Sequence, residues 1–127
     1  VKFAKNLFSF AGSYGIVVTA PMYFSEARFN THYPPAITHP EYFYGFIGVT
    51  LAWQFVFLMI SLDVRKYRMM MVPAILEKFS YAAAGFILYA AGRTGTMIAA
   101  FAGIDLLFGI LFIIAFLRTK EQTPFTP

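Results

Sequence analysis

Apolar residues fall in four long, nearly unbroken stretches along this chain, at about residues 7–24, 42–62, 69–91 and 97–117. Each approaches the ~20 residues a helix needs to cross about 30 Å of hydrocarbon. The runs are continuous rather than alternating. In lipid only helices and closed barrels satisfy their own backbone groups, so the pattern predicts an all-α integral membrane four-helix bundle. The fourth stretch, MIAAFAGIDLLFGILFIIAFL, is the cleanest. In the third, Pro73 follows Met69, Met70 and Met71; a proline fits a first helical turn and kinks a helix that starts earlier. The connection at about 25–41 holds Pro34, Pro35 and Pro40, which predicts an extended segment. Thr38 and Glu41 have the spacing of a capping box for the second helix. The polar stretch Thr119–Pro127 predicts a loosely ordered tail.

Composition agrees with a membrane location. Of 127 residues, 59% are hydrophobic, 20% aromatic and only 13% charged, against about 25% charged in soluble domains. The length allows a single domain over 1–127. The net charge of +4 does not form a nucleic-acid patch, because the basic residues flank the apolar runs. Lys2, Lys5, Arg65, Lys66, Arg68, Arg118 and Lys120 fall on one side, and Arg28 and Arg93 on the other. The positive-inside rule then predicts both termini and the 63–68 loop in the cytoplasm. Lys2 and Lys5 ahead of an apolar run, with Ser25-Glu26-Ala27 beyond it, also fit a signal peptide; the reading adopted is a retained helix. Tyr23, Phe24, Tyr33, Tyr42, Phe43 and Tyr44 read as an interfacial aromatic belt, with a binding rim as the alternative. The chain has no cysteine, which excludes disulfides, thiol redox chemistry and thiolate-held zinc or iron–sulfur centres.

The candidate chemistry lies inside the apolar stretches. Glu77 and Lys78 interrupt the third and Asp105 the fourth. A charge at that depth costs at least a few kcal/mol unless paired, hydrated or neutralised. At about 1.5 Å of rise per residue, Glu77 and Lys78 lie roughly 12–14 Å from the cytoplasmic side. Asp105, Gln54, Ser13 and Tyr14 come out near the same level. Lys78 shares a face with Ala82 and Gly85, and Asp105 has Ala102 and Gly109 one turn away. Two such small-residue faces approach closely, so Lys78 and Asp105 are the expected ion pair. Glu77, about 100° around the helix from Lys78, shares a face with Tyr81 and is expected to reach toward Gln54 or Tyr14. It is the carboxylate expected to be able to hold a proton. The readings left open are a static network fixing helix register, a ligand or proton site, and a face turned to a partner subunit. Small residues at four-residue spacing (Ala11 and Gly15, Gly48 and Ala52, Ala99 and Gly103) predict close helix packing. His32 and His39 lie outside the apolar stretches, which excludes a transmembrane bis-histidine haem; no metal site is expected, though a surface metal or pigment is the alternative for this pair. No phosphate loop, nucleophile elbow or HExxH motif is present.

The stretches HPEYFYGFIG at 39–48, PAILEKFSYAAAG at 73–85 and GIDLLFG at 103–109 give the chain a pattern that resembles small four-helix bacterial membrane proteins of the DoxX-like kind. The resemblance covers most of 7–117 and implies a multi-pass protein of the bacterial inner membrane, with members that look like accessory subunits of quinone-linked oxidoreductases. Small multidrug transporters share the size and helix number, but their essential glutamate is in the first helix, where this chain has no acid. Two expectations result. The first is a non-catalytic accessory subunit of a larger membrane complex, such as an electron-transfer one. The second is a binder of a quinone or other lipid-like ligand, or a proton-coupled carrier, built on Glu77, Lys78, Asp105, Gln54, Tyr14 and Tyr81. A membrane enzyme using Glu77 as acid or base ranks third.

Overall fold

The computed structural model describes residues 1–33 and 35–120 and is all-helical over them. Its α-helices are α1 (Lys2–Thr19), α2 (Glu26–His32), α3 (Pro40–Leu62), α4 (Met71–Ala90) and α5 (Thr96–Arg118). A 3₁₀ turn, Ala20–Phe24, extends α1, and another, Arg68–Met70, leads into α4. With these turns included, four helices are long and apolar enough to cross a membrane. Their outer faces carry exposed Phe10, Val17, Phe55, Leu76, Ile87 and Leu107.

Local chemistry explains most of the boundaries. Helix α4 starts at Met71, so Pro73 sits within the first turn, where its missing N–H costs nothing. It ends in a Schellman motif: Gly92, at φ +73°, donates its N–H to Tyr89 O (3.0 Å), and Arg93 donates to Leu88 O (2.8 Å). Helix α3 opens with His39 as its cap and Pro40 in the first position, and no side chain caps it. The Thr38–Glu41 capping box therefore does not form; the Glu41 carboxylate pairs instead with His39 Nδ1 at 3.2 Å, at an exposed position. The connection before α3 is not wholly extended either. Glu26–His32 closes a short helix, α2, and the prolines act only beyond its end. The Ile37 N–H then ties the following loop back to Asn30 Oδ1 at 2.7 Å. Of the expected tail, the part from residue 121 onward lies outside the described residues.

Helices α1 and α3 pack along each other, as do α4 and α5; α1 also meets α5, whereas α3 and α4 touch only sparingly. Small residues make the two close pairs possible. A Cβ on Gly12 would lie 2.8 Å from Gln54 O, and one on Gly85 would lie 2.7 Å from the Ala102 Cβ. The Gly48 and Ala52 pair does not form such an interface, since Ala52 is exposed.

The N-terminus, the 63–70 connection and the end of α5 gather at one end of the bundle, here termed the basic end. There Arg118 lies 4.9 Å from the Phe3 ring centroid, and Arg68 donates to Phe116 O at 3.2 Å. The apolar core fills the adjoining half of the molecule. Phe8, Phe57 and Phe112 are fully buried, with Phe8 stacked on Phe112 at 4.3 Å between centroids and Phe57 edge-on to Phe112 at 5.2 Å. Val64, Met71, Ala74 and Ala115 surround them. The other half of the bundle, toward α2, is not filled.

Candidate functional site

That unfilled half is a cavity of about 530 Å³, bounded by α1, α3, α4 and α5 and covered at the distal end by the turn after α1 and by α2. Its volume falls within the ≈ 300–1,000 Å³ of ligand pockets. Its walls are mainly aromatic and aliphatic, with Phe46, Phe101, Ile98 and Val18 among them. Tyr14, Gln54, Glu77, Lys78, Tyr81 and Asp105 all line it. The residues that sequence depth places in one layer are thus brought to one wall-and-floor surface. Ser13 is not among them: it is exposed on the opposite side of α1.

Lys78 organises the floor. Its side chain is 8% exposed, and Nζ lies 3.3 Å from Asp105 Oδ1 and 3.7 Å from Glu77 Oε2. The Asp105 contact is a hydrogen bond joining α4 to α5. It exists because Ala82, Gly85 and Ala102 let the two backbones approach. The second contact corrects the expectation for Glu77, which does not reach across to Gln54 or Tyr14 with a hydrogen bond. Sequence neighbours face 100° apart, but the four-carbon lysine stem swings its ammonium between the two carboxylates. Beneath, the same ammonium lies 5.1 Å from the Phe57 ring centroid and 5.5 Å from that of Phe108, within cation–π range. The aromatic plug of the basic half therefore begins where the charged layer ends, and the cavity is closed on that side.

Gln54 is 2% exposed and donates from Nε2 to Thr50 O at 2.8 Å, one turn back on α3. This bond fixes which end of the amide faces which way. Among the described residues, Gln54 Oε1 and Glu77 Oε2 have no hydrogen-bond partner. Gly15 makes room for the amide, since a Cβ there would overlap it. Tyr81 stacks against Phe46 at 6.0 Å, bridging α4 and α3 where those helices are otherwise apart. Tyr14 packs on Phe108 at 5.8 Å and on Phe10 at 6.2 Å.

Sequence reasoning missed the cover. Arg28 and Phe29 reach the cavity from α2, and Phe29 packs edge-on against Phe43 of α3 at 5.7 Å. The signal for α2 is slight: EARFNTH is seven residues long and is followed by Pro34 and Pro35, which point to an extended segment. His32, the last residue of α2 rather than a loop residue, and His39, the cap of α3, do not line the cavity. Chemically, the arrangement supplies a largely apolar, half-enclosed volume with both carboxylates at its inner end and Arg28 at its distal end. Compared with family models, with curated proteins and with solved structures, the chain matches none.

Proposed function

We propose that this chain is a multi-pass protein of a bacterial inner membrane, with both termini and the 63–70 connection in the cytoplasm, and that it binds a small lipid-like molecule in the cavity. The observation that carries this reading is the coincidence of the polar layer with the cavity. A static register-fixing network needs Lys78 and Asp105 but has no need of about 530 Å³ beside them. Close packing is the rule in protein interiors, so a hollow half-bundle next to a charged floor calls for an occupant. The aromatic plug argues for a pocket open on one side rather than a through-path, which favours binding over carriage. A quinone is one lipid-like molecule of suitable size.

The test is native mass spectrometry of the chain purified from its own membranes in mild detergent. The expected result is a co-purifying lipid-soluble molecule in wild type that is lost from Thr50→Phe, whose ring would occupy the cavity. Equal occupancy of both would place the molecule on the outer surface and remove the reading.

A second reading, an accessory subunit of a larger membrane complex such as an electron-transferring one, draws on Phe24. This ring is 93% exposed at the distal end, beside Tyr23 and Tyr44, which stack on each other at 6.3 Å. Such a ring gains burial against headgroups or a partner, although it also lines the cavity. The same purification tests it: co-migration with other membrane subunits supports it, and a homogeneous small particle opposes it.

A further inference from the structure

Resting on the pocket reading, we infer that the molecule held in the cavity is an amphiphilic organic cation, an ammonium group on an apolar body.

The argument is the order of charge with depth. Glu77, Lys78 and Asp105 sum to one negative charge when ionised. They do not show themselves equally to the space above. The carboxylate side chains of Glu77 and Asp105 retain 18% and 19% of their surface, whereas Lys78 retains 8%. The single cation lies lower, against Phe57 and Phe108, so the face turned to the cavity is anionic. Each carboxylate offers about four acceptor positions, and the single lysine fills few of them. Gln54 is neutral and adds no charge to this surface, and its Oε1 is buried against Gly15.

The other charges in reach do not reverse this. Arg28, the remaining ionic residue of the lining, is exposed on α2 at the far end of the cavity, where water screens it. The walls suit the same ligand. Tyr14, Phe46, Tyr81 and Phe101 line the volume, and aromatic rings attract desolvated cations. An ammonium seated over Glu77 and Asp105 brings the floor to neutrality and donates hydrogen bonds to the carboxylate surface that Lys78 leaves open. An anionic head group meets the same floor with repulsion, and a neutral one leaves the charge uncompensated.

The experiment is a charge series on one tail. Octylammonium, octanol and octanoate are titrated against the full chain in nanodiscs of zwitterionic lipid, with occupancy read by native mass spectrometry. Every titration is repeated on Glu77→Gln in the same lipid, so that partition into the bilayer cancels. Wild type is expected to take octylammonium at least about tenfold more tightly than octanol, and octanoate not at all, in line with one charge-assisted hydrogen bond. Glu77→Gln is expected to lose that preference. Should Glu77→Gln not fold, the wild-type series decides alone, with Glu77→Asp as the variant expected to keep the preference. Equal occupancy by octylammonium and octanol overturns the cation while leaving the pocket reading in place, provided Thr50→Phe removes both. A preference undiminished in Glu77→Gln also overturns it. Saturable binding of none of the three overturns cation and pocket together.

Discussion

At the scale of single residues, Lys78 carries the greatest consequence. It is the only cation between two carboxylates, so removing it differs from removing either partner. Breaking a buried ion pair from one side costs about 3–5 kcal/mol, because the abandoned charge stays buried. Lys78→Met leaves Glu77 and Asp105 facing one cavity without a counter-ion and is expected to lower the thermal unfolding midpoint more than Asp105→Asn does. The double variant Lys78→Met/Asp105→Leu is expected to recover part of the loss. A midpoint for Lys78→Met no lower than that for Asp105→Asn would show that the lysine does not bridge both acids. The Lys78–Asp105 pair itself was legible in the sequence, because Ala82, Gly85, Ala102 and Gly109 mark the faces that meet. The Glu77–Lys78 contact was not, since helical angles describe where Cβ atoms point and not where a long flexible stem ends.

At the scale of elements, glycines separate two roles that composition merges. Gly85 sits where α4 crosses α5, with no space for a methyl group: its Cβ would be 2.7 Å from the Ala102 Cβ. Gly85→Ala is expected to destabilise the α4–α5 pair by about 1–3 kcal/mol through overpacking. Gly45, on the first turns of α3, has nothing within 4 Å of such a Cβ. Gly45→Ala is expected to be neutral or to gain up to about 1 kcal/mol from helix propensity. Equal shifts in unfolding midpoint for the two would mean that α4 and α5 are not in close contact. Gly92 belongs to neither class, because its φ of +73° is the left-handed conformation that ends α4. Gly92→Ala is expected to cost about 1–2 kcal/mol, seen as fraying of the last turn of α4 in amide exchange. The long helices could be read from hydrophobic run length alone and the start of α4 from Pro73, whereas Gly92 at the end of α4 and Pro40 at the start of α3 show their roles only in the structure. Helix α2 escaped because seven residues carry too little periodicity to outweigh prolines nearby.

At the scale of the molecule, what the sequence hides is the division of the bundle into a packed half and a hollow half. That division depends on Phe8, Phe57 and Phe112 meeting at one level while Gly15, Thr50 and Ile98 meet at another, which is a property of helix offsets rather than of any one helix. The orientation of the whole in a membrane is more accessible, and the composition provides its own means of measuring it. The chain holds no cysteine, so any cysteine introduced is the only thiol to be labelled. The basic end carries Lys2, Lys5, Arg65, Lys66, Arg68 and Arg118, and the distal end only Arg28 and Arg93, a bias that the positive-inside rule converts into a direction. Arg93→Cys and Arg28→Cys are exposed positions beside α4 and on α2, and both are expected to react with a membrane-impermeant maleimide on intact cells or spheroplasts. Lys66→Cys, between α3 and α4, is expected to react only after permeabilisation. Removing one charge from the distal end strengthens the existing bias, and removing one of the many at the basic end leaves it intact, so the substitutions do not themselves reverse the topology. Labelling of Lys66→Cys on intact cells would invert the molecule and turn the cavity's covered end toward the cytoplasm. The expected pattern instead places α2 and the cavity at the outer leaflet, where a ligand arrives from the bilayer or from outside the cell, and keeps the aromatic plug between it and the cytoplasm.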